Sequence, residues 1–189
     1  MKRIIILASG SGTNAENIIK YFKNSNSISV VQVLSNRENA RVLERAERLN
    51  VSCASFNRES FYTNNEVLNN LKLNADYIIL AGFLWKIPST IIDAFPNKII
   101  NIHPALLPKF GGKGMYGMNV HKAVVENKER KSGITIHFVN ENYDEGAIIF
   151  QKSVEVLVCD TAEDVAAKIH TLEQENFPKI IENIILKNG

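Results

Sequence analysis

Long apolar runs are missing from this sequence. None approaches the roughly 20 residues that a membrane-spanning helix needs, so no membrane partner is expected. The first residues lead straight into a strand pattern, without the apolar stretch and small-residue cleavage site of an export signal. A cytoplasmic setting follows as an expectation. Cysteine is scarce: Cys53 and Cys159 are the only two. They form no metal-like cluster, so no metal is expected, and buried thiols in a reducing compartment are the plain reading. A surplus of one charge is also missing. The 22 Lys and Arg against 20 Asp and Glu leave a formal charge of +2, which provides no broad basic surface for nucleic acid. Internal repeats, low-complexity tracts and linkers are absent.

What is present suits one ordinary domain over residues 1–189, with 45% apolar and 22% charged residues. Apolar runs alternate with amphipathic stretches, the pattern of βαβ units. Arg3 to Ala8 reads as a strand buried on both faces, as central parallel strands are. Glycines follow at Gly10 and Gly12. A helix then opens near Thr13, with Thr13 and Glu16 at capping-box spacing and Ile18, Ile19 and Phe22 as its apolar stripe. Strands are expected at about 28–34, 51–55, 76–81 and 98–102, with helices at about 40–50, 60–71 and 119–127 and a short one from Pro88. Residues 133–139 and 147–156 alternate partially, as half-covered strands do. A last helix runs from about Thr161, and Pro178 should kink it or start a new segment. The fold class is α/β, a Rossmann-like, mostly parallel sheet with helices on both faces.

Open parallel sheets bind ligands at the carboxyl ends of their strands. If the strands are parallel, Gly10 to Asn14, Arg58, Gly82 to Ile87, Asn101 with His103, and Asp144 share one edge. Each feature has a bland alternative. The glycine loop is either a tight strand-to-helix turn or a phosphate cradle of backbone N–H groups and the hydroxyls of Ser11 and Thr13. Asn101 and His103 lie on one face of a strand end stopped by Pro104; they serve either the backbone or a ligand. Asp144 is either part of a solvated turn or a partner for His103. His121, after the glycine-rich loop at 110–117, could reach the cleft; His137 reads as support within a strand and His170 as a plain helix residue.

The run Asn101-Ile102-His103-Pro104-Ala105-Leu106-Leu107-Pro108 resembles the signature of the 10-formyltetrahydrofolate-dependent formyltransferase family. Within that family, Leu7 to Asn14, Ser35-Asn36-Arg37, Ala81-Gly82-Phe83, Gly133 to Val139, Asp144-Glu145-Gly146 and Glu173 are similar, in the same order, to the branch that formylates glycinamide ribonucleotide. The resemblance implies a formyl-folate cosubstrate and a small phosphorylated acceptor, handled by a monomer or homodimer. It implies that Gly12, Thr13 and Asn14 hold the substrate phosphate and that Glu173 holds the ribose or glycinamide. Arg58, Leu84, Trp85, Lys86, Ile87, Asn101, Asn140, Glu141, Asn142 and Tyr143 would bind the folate. Asn101, His103 and Asp144 would be catalytic. The chain departs from the family at Leu84-Trp85, where Met-Arg is frequent, and in a longer, more glycine-rich segment from Phe110 to Asn119.

On this reading the amine attacks the formyl carbon directly, with no enzyme nucleophile. Asn101 and a His103 imidazolium would stabilise the oxyanion, and Asp144 would keep His103 charged. Two rivals stand beside it. One is another folate-linked formyltransferase or a formyl-folate hydrolase, whose expected additional domains have no counterpart in 189 residues. The other is a non-catalytic nucleotide-binding α/β module, which would not require Asn101, His103 and Asp144 to converge.

Overall fold

The computed structural model describes residues 1–187; residues 188 and 189, the end of the expected 1–189 domain, lie outside the described residues. The sheet grows from strand β1 (Lys2–Leu7). Its residues Ile4 to Leu7 have no exposed surface. The strand's period of two sends Ile4 and Ile6 into the core on one face and Ile5 and Leu7 into the core on the other. Each such side chain contributes up to about 1.5–3 kcal/mol on burial. A strand buried on both faces can only sit inside a covered sheet.

The chain continues through α1 (Thr13–Phe22), β2 (Ile28–Ser35), α2 (Arg41–Arg48), β3 (Ser52–Ser55), α3 (Arg58–Tyr62), α4 (Glu66–Asn74) and β4 (Tyr77–Leu80). Then come α5 (Ser89–Ala94), β5 (Ile99–His103), α6 (Met118–Glu126), β6 (Lys131–Phe138), β7 (Ile148–Glu155) and α7 (Ala162–Lys187). The seven strands lie in the order β3-β2-β1-β4-β5-β6-β7. β1 to β5 are parallel; β6 runs antiparallel to β5, and β7 antiparallel to β6. Helices α1, α2, α6 and α7 cover one face and α3 to α5 the other. The strand order reverses at β1 and β4, so their carboxyl ends open a crevice.

Several local expectations needed correction. The helix expected over 60–71 is two helices, because Asn65 takes a left-handed backbone (φ 61°) between them. The capping box lies at Asn57 and Ser60 and starts α3. At α1 no side chain caps the helix; Gly12 is its N-cap, with φ 75°. Residues 132–137 of β6 are buried on both faces rather than half-covered, because α7 packs across one face and the Ala105–Leu107 segment covers the other. Pro178 does not restart the helix: α7 runs unbroken through it. A proline removes the N–H that would serve the carbonyl four residues back, and here Asn17 Nδ2 donates to that carbonyl, Gln174 O, at 2.9 Å. Nor are the thiols buried: Cys53 is half-buried and Cys159 exposed.

The most consequential correction concerns Asp144. Parallel order would carry it to the carboxyl edge, but β6 runs the other way, with His137 beside Asn101 and Phe138 beside Ile100. Val139 N–H donates to Ile99 O at 2.9 Å, at the amino end of β5. From there the 139–147 connection folds back toward His103. The return is tight: a Cβ on Gly146 would collide with the Phe138 carbonyl.

Candidate active site

A cavity of about 710 Å³ lies over the carboxyl ends of β1, β4 and β5, within the size range of small-molecule sites. Its first wall is the turn from β1 into α1. Ser9 N–H donates to Gly82 O at 3.0 Å, and Gly10 O accepts from Val42 N–H at 3.2 Å. Position 12 admits no side chain, since a Cβ there would lie 2.7 Å from the Val42 backbone. The tight turn delivers the first N–H groups of α1, which precede the first helical bond and leave donors at the positive end of the helix. Glu16 does not oppose them. It pairs with Lys20 (2.6 Å) and with Arg45, which hold its carboxyl below the usual range. The Asn14 amide is held by α7: Nδ2 donates to Glu173 Oε2 (3.0 Å) and Oδ1 accepts from Gln174 Nε2 (2.6 Å).

A second wall is Leu84 to Ile87 after β4. Leu84 N–H donates to Ser9 Oγ at 2.9 Å, and Tyr62 hydroxyl donates to Lys86 O at 2.9 Å. Trp85 packs among Phe56, Phe61, Tyr62 and Phe83. Arg58 does not line the cavity; its guanidinium lies over the Trp85 ring, 5.0 Å from the centroid. Of the loop after β6, Asn140, Asn142, Tyr143 and Asp144 line the cavity, and Glu141 does not.

Between these walls stand Asn101, His103 and Asp144. His103 is 4% exposed. Its Nε2–H donates to Phe110 O at 2.7 Å, so Nδ1 is left facing Asp144 Oδ2 at 3.5 Å. Burial pushes the His103 pKa down, and the opposing charge of Asp144 does not restore it. The expected resting imidazolium is therefore corrected: His103 rests as a neutral base with its lone pair on Nδ1. Burial also raises Asp144, but the His137 and His103 rings and the Gly112 N–H (2.9 Å) outweigh it, leaving the carboxyl below its usual range. His137 Nδ1–H donates to Phe138 O at 2.8 Å, which leaves Nε2 to accept Asn101 Nδ2–H, 3.1 Å away. One amide hydrogen of Asn101 is thus fixed and the other is free for the cavity.

The segment after His103 is held by a residue not singled out beforehand. Thr135 Oγ1 accepts Leu107 N–H (3.0 Å) and donates to Ala105 O (2.7 Å). Lys113, Met115 and Tyr116 also line the cavity; position in a glycine-rich loop carried no periodic signal for them. His170, expected to be a plain helix residue, lines it too, 3.7 Å from Glu173, whose carboxylate raises its pKa. Its spacing of three from Glu173 on one helix was the available signal. Among the described residues no group of three His, Cys, Asp or Glu could hold a metal ion, and no helix is long and apolar enough to cross a membrane.

Fold and cavity together define an α/β protein with a neutral histidine, a carboxylate and an amide converging at the switch point of its sheet. The formyl transferase family matches residues 2–181, and the chain belongs to that family. It is 37% identical over 187 residues to the chloroplastic phosphoribosylglycinamide formyltransferase of Arabidopsis thaliana, across 95% of this chain and 64% of that protein. It therefore spans less than two thirds of the plant relative. It is 34% identical to the phosphoribosylglycinamide formyltransferase of Bacillus subtilis over 195 residues, across 100% of this chain and 97% of that one. The crystal structure of the Bacillus halodurans phosphoribosylglycinamide formyltransferase superposes with a TM-score of 0.88 at 31% identity, covering 100% of this chain and 97% of the other.

Proposed function

We propose that this chain transfers the formyl group of 10-formyltetrahydrofolate to the amine of N1-(5-phospho-D-ribosyl)glycinamide, a step of purine synthesis. The carrying observation is the meeting of His103, Asp144 and Asn101 in one cavity with a helix N-terminus and an apolar aromatic wall. The N–H groups of Gly12, Thr13 and Asn14 suit a phosphate dianion. Glu173, tied to Asn14, takes the ribose or glycinamide. Leu84, Trp85, Lys86 and Ile87, with Asn140, Asn142 and Tyr143, suit a flat conjugated folate; Arg58 contributes by stacking on Trp85 rather than by lining the site. The folate supplies an activated formyl carbon.

The chain's residues divide the work as follows. The acceptor amine bonds to the formyl carbon, and negative charge develops on the formyl oxygen. Asn101 donates its free N–H to that oxygen. Neutral His103 accepts a proton released by the amine at Nδ1, directly or through Asp144, and the resulting imidazolium is stabilised by the Asp144 charge. The imidazolium then donates to the departing folate nitrogen as the carbon–nitrogen bond to it breaks, and His103 returns to neutrality. Holding both substrates separately positions the reacting atoms, which supplies up to roughly 7–11 kcal/mol. Within this reading one domain acts on two small molecules in the cytoplasm, as a monomer or homodimer. A formyl-transfer assay tests it: product should appear only when both substrates are present. Release of formate without the acceptor, or no product with both, would overturn it.

A further inference from the structure

His121 sits on α6, 6% exposed, in the buried row formed by Val120, His121 and Val124. Its ring nevertheless lines the cavity. Nδ1 is buried without a hydrogen-bond partner among the described residues, so the cavity-facing nitrogen is Nε2. We propose that His121 recognises the amide of the acceptor's glycinamide, with Nε2–H donating to the amide carbonyl oxygen, and so selects an aminoacyl amide over a bare phosphoribosyl compound.

The assignment rests on the function proposed above and on the order of groups along the cavity. Asn14, in the first turn of α1, bonds Glu173 at 3.0 Å. Glu173 and His103 both lie close enough to His121 to act on its titration. The acceptor runs phosphate, ribose, amide, methylene, amine. With phosphate at α1, ribose at Glu173 and amine at His103, the amide falls at His121. The ring's chemistry agrees. An unpartnered buried nitrogen is better tolerated as a lone pair than as an N–H, so the proton of the neutral ring belongs on Nε2. Burial keeps the ring neutral by lowering its pKa. A neutral donor suits a carbonyl and leaves the charge balance around Asp144 unchanged.

Calorimetric titration with glycinamide ribonucleotide and with ribose 5-phosphate tests this on the full chain. His121→Leu should bind the ribonucleotide about tenfold more weakly, the worth of one hydrogen bond, and ribose 5-phosphate as wild type does. His121→Gln places an amide nitrogen near the Nε2 position and should restore most of the loss; His121→Asn places one near Nδ1 and should not. If the leucine variant melts early, the Gln and Asn pair carries the comparison. Equal losses for both ligands, no loss for either, or rescue by Asn and not Gln would overturn the assignment. A wild-type chain that takes up no glycinamide ribonucleotide would overturn the proposed function itself, and this assignment with it.

Discussion

Gly146→Ala tests how the antiparallel hairpin delivers Asp144. The added methyl would lie 2.7 Å from the Phe138 carbonyl carbon and 3.3 Å from His137 Nδ1, and would collide with the carbonyl oxygen. Ordinary carbon contacts are about 3.5–4.0 Å, so the 139–147 connection must retreat by about 1 Å. Asp144 is two residues away and stands 3.5 Å from His103 Nδ1. A displacement of about 1 Å at a reacting group costs roughly 100-fold in rate, and the crowding itself costs about 1–3 kcal/mol of stability. Steady-state formyl transfer should show kcat reduced by about that factor, while calorimetric affinity for the phosphorylated acceptor, held at the α1 end, stays close to wild type. Urea unfolding should show the loss of stability. A variant with wild-type turnover would refute the claim that Gly146 sets the position of Asp144.

Two further predictions follow from the same contacts. Asn17→Ala leaves the Gln174 carbonyl beneath Pro178 without its donor and should lower unfolding free energy by about 1–2 kcal/mol; an unchanged urea midpoint would show that water serves that carbonyl equally well. The burial of His103 lowers its pKa from 6.5. The ring should therefore be neutral at pH 7 and should gain its proton only as pH falls below 6.5. In the same range the unfolded chain binds protons first, so acidification should destabilise the fold. Histidine-selective NMR checks both protonation and tautomer: an imidazolium at pH 7 would contradict the pKa lowered by burial, and a neutral ring protonated on Nδ1 would contradict the Nε2–H bond to Phe110.

The residues that announced the fold are those whose burial is two-sided. Ile4 to Leu7 read as a central strand because an unbroken apolar run has no other use in a sheet, and 77–80 did the same. Direction was not legible. Ser132 to His137 has the same composition whether it runs with β5 or against it, so the route by which Asp144 comes to stand beside His103 was not the expected one. The break between α3 and α4 had a signal in Thr63-Asn64-Asn65, a polar run able to adopt a left-handed backbone, but the apolar spacing across it overrode that signal. The carbonyl that Pro178 leaves without its helical donor is served by Asn17, some 160 residues away in sequence, which no local pattern reports. The charge state of His103 was misjudged because a nearby carboxylate can be inferred from motif spacing, whereas the depth of burial that opposes it cannot.

Turnover of His103→Ala against wild type, with glycinamide ribonucleotide and 10-formyltetrahydrofolate both saturating, tests the central claim most directly. Removing the group that relays the proton should lower kcat by at least ~10²-fold, with an unchanged melting profile and retained acceptor binding. A folded His103→Ala variant that forms product at near wild-type rate would show that the His103–Asp144 pair does not carry the reaction.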